Sequence, residues 1–360
     1  MNELQFITEH FKKYYEKTNL TAPSIEKREF GFGNVKKIDF RHKSFSTNAE
    51  LKNYLISNTP KFTSFSTAYY EFPWSTPMEK KEYHGADLIF DLDNVYPNDK
   101  HPEYPHQDFL CNYCISKVAH DTLQLIEEFL IPDFGLSINE LSVNFSGSKG
   151  FHVHIRNEKV RDLSHDARRA IADYITGKTL TVDSIFPRRG TAKSAPRNGP
   201  HANFGGWGKR INQTAKQYAQ EKGEEKLNAL QNLCSQGNWA TFKQRELDVI
   251  LSLAIREKAV EIDAPCTFDL HRLIRLPETL HGDAALIAKT IQVNQLSNFN
   301  PLKIASPFSF NEKIKVKQNE PHAYNFIANE CITTKPTNDI QELPLQIALS
   351  LLCKNKAQLV

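Results

Sequence analysis

The sequence predicts a mixed α/β fold of the α+β kind, and three observations carry that expectation. Apolar and polar residues alternate through ADLIFDLD, so Leu88, Phe90 and Leu92 point to one face of a strand and Asp87, Asp91 and Asp93 to the other. LSVNFSGSKGFHVHI reads as two short strands around a tight turn. Leu141, Val143 and Phe145 share one face of the first, and Phe151, Val153 and Ile155 one face of the second. Between these stretches, Ile115, Val118, Ala119, Thr122, Ile126 and Phe129 trace the buried stripe of a helix that should stop near Pro132.

The remaining elements follow in chain order. Leu4, Ile7, Phe11 and Tyr14 recur at helical spacing, with Lys12, Lys13 and Lys17 on other faces, and predict an opening amphipathic helix. Residues 26 to 46 hold the β-prone pieces REFGF and KKIDF, with Gly31 and Gly33 available for a turn or bulge. Residues 164 to 176 form another helix, with Ser164 as N-cap and Gly177 as terminator. From Phe186 the composition shifts to Pro, Gly, Arg and Lys, the mark of a long loop, and a polar helical stretch runs on to about residue 258. The tail from about 310 is rich in Lys and Asn and ends in an amphipathic helix around Ile340 to Leu352. We expect a catalytic core of residues 1–182 and 256–310, a loop and helical insert at 183–255, and a C-terminal tail at 311–360.

Composition bounds the function without naming it. A chain of 360 residues with 40% hydrophobic content can bury an ordinary core. No apolar run approaches the roughly 18 residues that span a bilayer, and the start has no secretory layout, so the expected home is the cytoplasm, or the nucleus in a eukaryote. Six unevenly spaced cysteines argue against a disulfide framework. A net charge of +3 means that any nucleic-acid surface is a local patch.

Several segments carry chemistry. Asp91 and Asp93, two positions apart on one strand, project side by side and would hold one or two hard divalent cations; a solvent-facing acidic strand edge has the same spacing. SGSKGFH offers backbone N–H groups and Lys149 to cradle phosphates, although a Gly-rich hairpin turn with one lysine is commonplace. EIDAPCTFDLHRLIRLPETLHG brings Asp263, two arginines and His281 into one span, in which Asp263 would complete a three-carboxylate site and Arg275 and His281 would neutralise phosphate oxygens. Cys111 and Cys114 have the spacing of half a structural zinc site, with His101 and His106 nearby; two buried thiols at a helix start are the alternative. Arg188, Arg189, Lys193, Arg197, Lys209 and Arg210, interleaved with Phe204 and Trp207, would contact a nucleic-acid backbone or stack on bases, or simply form a solvated loop.

In this order, YHGADLIFDLD, CNYC, SGSKGFHVHI and IDAPCTFDLHRLIRLPETLHG resemble the small, catalytic subunit of archaeal and eukaryotic DNA primases, in its archaeal form. The resemblance covers roughly residues 26 to 285 at motif level, and the combination is far more specific than any piece. It implies a mixed-sheet primase fold with sheets meeting around a cleft, a zinc element at about 101–114 and a helical insert. It further implies template-directed synthesis of short RNA, or DNA, primers from NTPs or dNTPs on single-stranded DNA. Two Mg²⁺ or Mn²⁺ ions would serve the reaction, and a primase large subunit would complete a heterodimer. Carried over by motif, Asp91, Asp93 and Asp263 are the metal ligands. Ser146, Lys149 and His152 belong to the nucleotide-binding segment, Arg275 and His281 follow the third aspartate, and Arg28 in REFGF resembles a further arginine near the triphosphate. The chain departs from the pattern in having only histidines, His101 and His106, before CNYC, and Ser148 where relatives carry a second basic residue. A primase-polymerase of end-joining repair is the nearest rival, and a metal-dependent nuclease or phosphohydrolase is a second enzyme class.

Overall fold

The computed structural model describes residues 2–93, 100–101, 111–193, 195–232, 234–320, 323–327, 331–335 and 337–360. The chain divides into two units, one of residues 1–123, 138–168 and 262–360, the other of residues 124–137 and 169–261.

In the first unit, REFGF becomes strand β1 (Phe30–Gly33), whose Phe30 and Phe32 are buried completely. The chain turns back into β2 (Phe40–Lys43), and β3 (Phe62–Ser66) pairs antiparallel on the other side of β1. A hairpin of β4 (Ala68–Tyr70) and β5 (Tyr83–Ala86) leads into β6 (Leu88–Leu92), the alternating acidic strand. The two strands expected around SGSKG are β7 (Leu141–Phe145) and β8 (Phe151–Ile155). After the second unit, β9 (Leu273–Arg275) joins the edge of β3, and β10 (Thr290–Ile291) joins the edge of β7. The result is two four-stranded antiparallel sheets, ordered β2-β1-β3-β9 and β10-β7-β8-β6.

The apolar side of β6 and β8 is buried as the pattern requires, but the polar side is largely buried too. Ile89 and His154 are almost wholly enclosed, and the Phe65 ring of β3 stacks at 6.4 Å on His154 of β8. The two sheets therefore face each other there, and only the Asp91 end of the polar row stays open. The opening helix, Glu3–Lys17, is closed by a capping box between Asn2 and Gln5 and buries Phe6, Ile7, Phe11 and Tyr15.

The C-terminal segment corrects an expectation. Residues 340 to 344 are not the start of a helix but a strand. With β11 (Lys313–Gln318), β12 (Asn325–Ile327), β13 (Cys331–Thr333), β14 (Ile340–Pro344) and β15 (Ala357–Leu359), the tail builds a three-stranded sheet ordered β14-β11-β15 and a β12/β13 pair. Pro344 ends β14, and the helix begins only at Leu345. Every residue from Leu345 to Cys353 is buried, including Gln346 and Ser350, which hydrogen-bond each other and the Ala284 carbonyl. A helix enclosed all round has no amphipathic face, so it packs on the chain's own core.

The second unit is helical: Gly206–Lys222, Glu224–Asn232 and Gln244–Lys258. Inside it Arg210 lies 3.9 Å over the Phe129 ring and pairs with Asp133 at 2.8 Å, while Trp207 donates to the Tyr174 carbonyl. Arg197 is buried, reaching the Phe186 carbonyl and Asp183. Arg197 and Arg210 of the basic-aromatic stretch are thus structural, because a buried cation with protein partners has nothing left for a nucleic-acid backbone, and the buried Trp207 ring has no face left for a base. Among the described residues no helix is long and apolar enough to cross a membrane.

Candidate active site

Strand pairing brings the first functional side chains together. Asp91 lies opposite His152, and His152 lies opposite Asn144 on β7, so these side chains share one face of the sheet. His152 Nε2 is 3.5 Å from Asp91 Oδ1. Asp93 follows β6 and is pressed by the SGSKG turn. A Cβ on Gly150 would come within 2.5 Å of the Leu92 carbonyl and 3.0 Å of Asp93 Cβ, so only glycine permits that approach.

Asp263 reaches this pair from the far side of the helical insert in sequence. Its backbone N–H donates to the Asp91 carbonyl at 2.9 Å, as if continuing the β6 edge, and a short helix with Pro265 in its first turn starts immediately after it. The three aspartates converge closely enough to feel each other. Burial first, and then the charges of Asp93 and Asp263, push the Asp91 carboxyl up to about 7. The Asp263 carboxylate is met by Arg272 at 3.1 Å.

A cleft of about 550 Å³ is lined by Asp91, Asp93, Ser146, Lys149, His152, Arg275 and His281, together with Arg272, the partner of Asp263; Asp263 itself is not part of the lining. Ser146 has a second task there, because its Oγ accepts the N–H groups of Gly150 at 3.1 Å and Ser148 at 3.4 Å and so organises the turn. The other glycine of the turn, Gly147, lies at φ +82° against the His281 loop, where a Cβ would come within 2.9 Å of His281 Cβ. Burial, reinforced by Arg275 and Lys37, lowers His152 to about 3 and His281 well below its ordinary value, so both rings are neutral. Burial lowers Arg275 to about 10, which leaves it charged at neutral pH.

Arg28 is not brought to the cleft. It is fully buried, pairs with Asp87 at 2.9 Å, donates to the carbonyls of Ser66 and Thr67, and lies 3.7 Å over the Tyr69 ring. The triphosphate contact expected of it is corrected to a structural one, since its donors are occupied inside the protein. Among the cleft residues not singled out from sequence, Arg272 and Lys37 carry charge that bears on the site. Arg272 stood in the quoted span as one of two arginines, but only its pairing with Asp263 gives it a task. Lys37 lies on the β1–β2 turn, where no local pattern announces a site.

A second cluster differs from the cleft aspartates in chemistry. One ligand atom each from His101, Cys111 and Cys114 fall within 4.8 Å of one another, and His101 Nε2 is 3.0 Å from Cys111 Sγ. One imidazole and two thiols at that spacing fit three corners of a tetrahedral metal site. His106, the other expected ligand, lies outside the described residues.

The sequence pattern of the DNA primase small subunit family matches residues 90–293, which include all three aspartates and the cleft histidines. The chain belongs to the DNA primase small subunit family. This primase small subunit is 34% identical over 304 residues to the DNA primase small subunit PriS of Thermoplasma volcanium, covering 84% of this chain and 82% of that one. It is 30% identical to PriS of Methanococcoides burtonii over 392 residues, covering 98% and 97% of the two chains, and 33% identical to PriS of Methanothrix thermoacetophila over 84% and 86%. Among solved structures, the polymerase domain of Mycobacterium tuberculosis ligase D in complex with DNA matches over 83% of this chain and 85% of that one, at 11% identity and a TM-score of 0.37, a likeness that carries no part of the argument. Family membership makes this primase small subunit a nucleotidyltransferase of the primase and polymerase kind.

Proposed function

We propose that the chain is the catalytic subunit of a DNA primase, joining nucleotides from NTPs or dNTPs into primers along a single-stranded DNA template, and that the cleft is where it does so. The observation that carries this reading is that Asp91 and Asp93 line one cleft with the lysine-bearing glycine turn, while Asp263 is joined to Asp91 by a backbone hydrogen bond and its charge bears on the Asp91 carboxyl.

The donor set fits hard divalent cations. Three carboxylates whose mutual repulsion helps lift one of them to about 7 are a costly arrangement that positive charge would relieve. Two Mg²⁺ or Mn²⁺ ions held there would supply activation of the primer 3′-hydroxyl and neutralisation of charge developing at the α-phosphate. The chain's own residues do the rest. Lys149 and Arg275 would hold the triphosphate by charge-assisted hydrogen bonds. His281 and His152, both neutral, would each offer an N–H without adding charge. Ser146 would keep the turn in shape, and Arg272 would hold the Asp263 carboxylate in orientation. Phosphoryl transfer of this type needs no side-chain nucleophile, so catalysis rests on alignment and charge.

His101, Cys111 and Cys114 would hold a structural zinc ion, with His106 as the remaining ligand. A primase large subunit would be the partner that assists initiation. The test is incubation of the purified chain with single-stranded DNA, labelled NTPs or dNTPs, and Mg²⁺ or Mn²⁺, with and without the large subunit. Template-dependent product that disappears in Asp91→Ala supports the reading; DNA cleavage without nucleotide incorporation would move the protein to the nucleases.

A further inference from the structure

The sharp turn between β1 and β2 is built with unusual rigidity for an exposed loop. The Asp39 carboxylate accepts three successive backbone N–H groups, from Asn34 at 2.6 Å, Val35 at 2.9 Å and Lys36 at 3.0 Å. Those bonds hold the Asp39 carboxyl below its ordinary range. The Asp39 N–H in turn donates to the Phe32 carbonyl at 2.8 Å, and the Asn34 side chain accepts the Lys61 N–H at 3.1 Å. At the root of the turn, a Cβ on Gly33 would collide with the Lys36 carbonyl and come within 2.8 Å of the Lys37 carbonyl, so the chain folds flat over a residue that must be glycine. Such a device fixes the next residue, and the next residue is Lys37, an exposed lysine that lines the cleft.

The cations of the cleft are not equivalent. Arg272 is engaged by Asp263, and Arg41 by the buried Glu29 at 2.6 Å. Arg275 is buried, with Nη1 donating to the Thr63 carbonyl. Lys37 and Lys149 are exposed, and neither forms an ion pair with any described residue. The positive charge of Lys37 bears on both buried cleft histidines, in company with Arg275. Lys37 thus lines the cleft from the β1–β2 turn, with its charge directed at the groups inside it.

We propose that Lys37 is a further phosphate-binding residue, held in place by the Asp39-pinned turn, that grips the polyphosphate tail of the incoming nucleotide together with Lys149. The inference rests on the reading of the cleft as the nucleoside triphosphate site and adds a ligand contact from a separate sheet. A lysine ammonium suits this position because it serves as a point charge on a flexible stem, able to follow phosphates that shift as pyrophosphate leaves.

The experiment is equilibrium titration of the full chain with a fluorescent non-hydrolysable NTP, the matching NMP and labelled single-stranded DNA, all with Mn²⁺. Lys37→Ala should weaken NTP binding by about 10- to 150-fold, the value of one charge-assisted contact, while NMP and DNA affinity stay within about twofold. Lys37→Arg should restore most of the NTP affinity. In steady state Lys37→Ala should raise KM more than it lowers kcat. Asp39→Ala should weaken NTP binding in the wild-type chain but add nothing to Lys37→Ala; an additive loss overturns the positioning role of the turn. If Lys37→Ala binds NTP normally while Lys149→Ala does not, the proposal for Lys37 fails and the cleft reading stands. If both bind NTP normally, the cleft reading falls and takes this inference with it. A loss confined to DNA binding makes Lys37 a template contact and overturns the proposal. Melting curves of each variant establish that it is folded.

Discussion

The backbone N–H of Asp263 donates to the carbonyl oxygen of Asp91 at 2.9 Å, so one hydrogen bond joins a strand near the start of the cleft to a loop that follows the whole helical insert. This bond, and not sequence proximity, gathers the acidic set. Asp91→Ala, Asp93→Ala and Asp263→Asn should each lower primer synthesis by about 10³-fold or more, the scale of several kcal/mol of lost charge stabilisation. A gel assay with melting controls checks this, and vigorous synthesis by any folded variant of the three would refute the assignment.

The same cluster should strain the ion-free protein. Because the folded state raises the Asp91 carboxyl from 3.8 to about 7, its contribution is fully present below pH 4 and is lost as pH rises through 7. In EDTA at pH 8, Asp91→Asn should therefore be more stable than wild type by about 1 to 4 kcal/mol, since each tenfold change in proton affinity is worth roughly 1.4 kcal/mol. Adding Mn²⁺ should reverse the order, because the ionised cluster binds the cation. Thermal melts in EDTA and in Mn²⁺, at pH 5 and pH 8, read both signs.

The buried histidines pull the opposite way. His152, His154 and His281 are all lowered, chiefly by burial, so their stabilising contribution is present above about pH 6.5 and is lost as pH falls toward the folded-state values. His154 Nε2 finds no hydrogen-bond partner among the described residues, and its ring already stacks on Phe65. His154→Phe should flatten the acid side of the stability curve between pH 6.5 and 4, measured as urea midpoints; an unchanged slope would assign the acid sensitivity elsewhere.

Arg28→Ala should cost about 3 to 5 kcal/mol of stability, because it leaves the buried Asp87 carboxylate without its closest cation. Folded at low temperature, the variant should keep the wild-type KM for nucleotide. A raised KM at full stability would return Arg28 to the triphosphate.

Purified protein should carry zinc, and Cys111→Ser or Cys114→Ser should remove it. Elemental analysis measures the metal, and a lowered melting temperature in the variants identifies it as structural. Wild-type protein free of zinc but with an unchanged melting temperature would make the cluster a pair of thiols beside an imidazole.

Local chemistry makes much of this readable in advance. The alternation in ADLIFDLD and the turn in SGSKG are short-range patterns that a strand and a hairpin impose on their own residues, and both elements form where the pattern lies. The tail misleads because IQELP has no strong local pattern of its own and runs straight into the leucine-rich segment after it; pairing with β11 decides that it is a strand. Arg28 misleads because a motif position reports a neighbourhood and not a direction, and Asp87 holds the guanidinium inward.

By itself the sequence determined the residue types that can do this chemistry, the strands and turns that carry them, and the family. Tertiary structure alone decided which of them meet: Asp263 with Asp91 across the insert, Arg272 with Asp263, and Lys37 at the cleft from another sheet. The division has a physical cause. Periodicity and turn chemistry act over a few residues and leave a mark in the order of amino acids, whereas contact between distant segments is fixed by burial and sheet pairing, which no short stretch records.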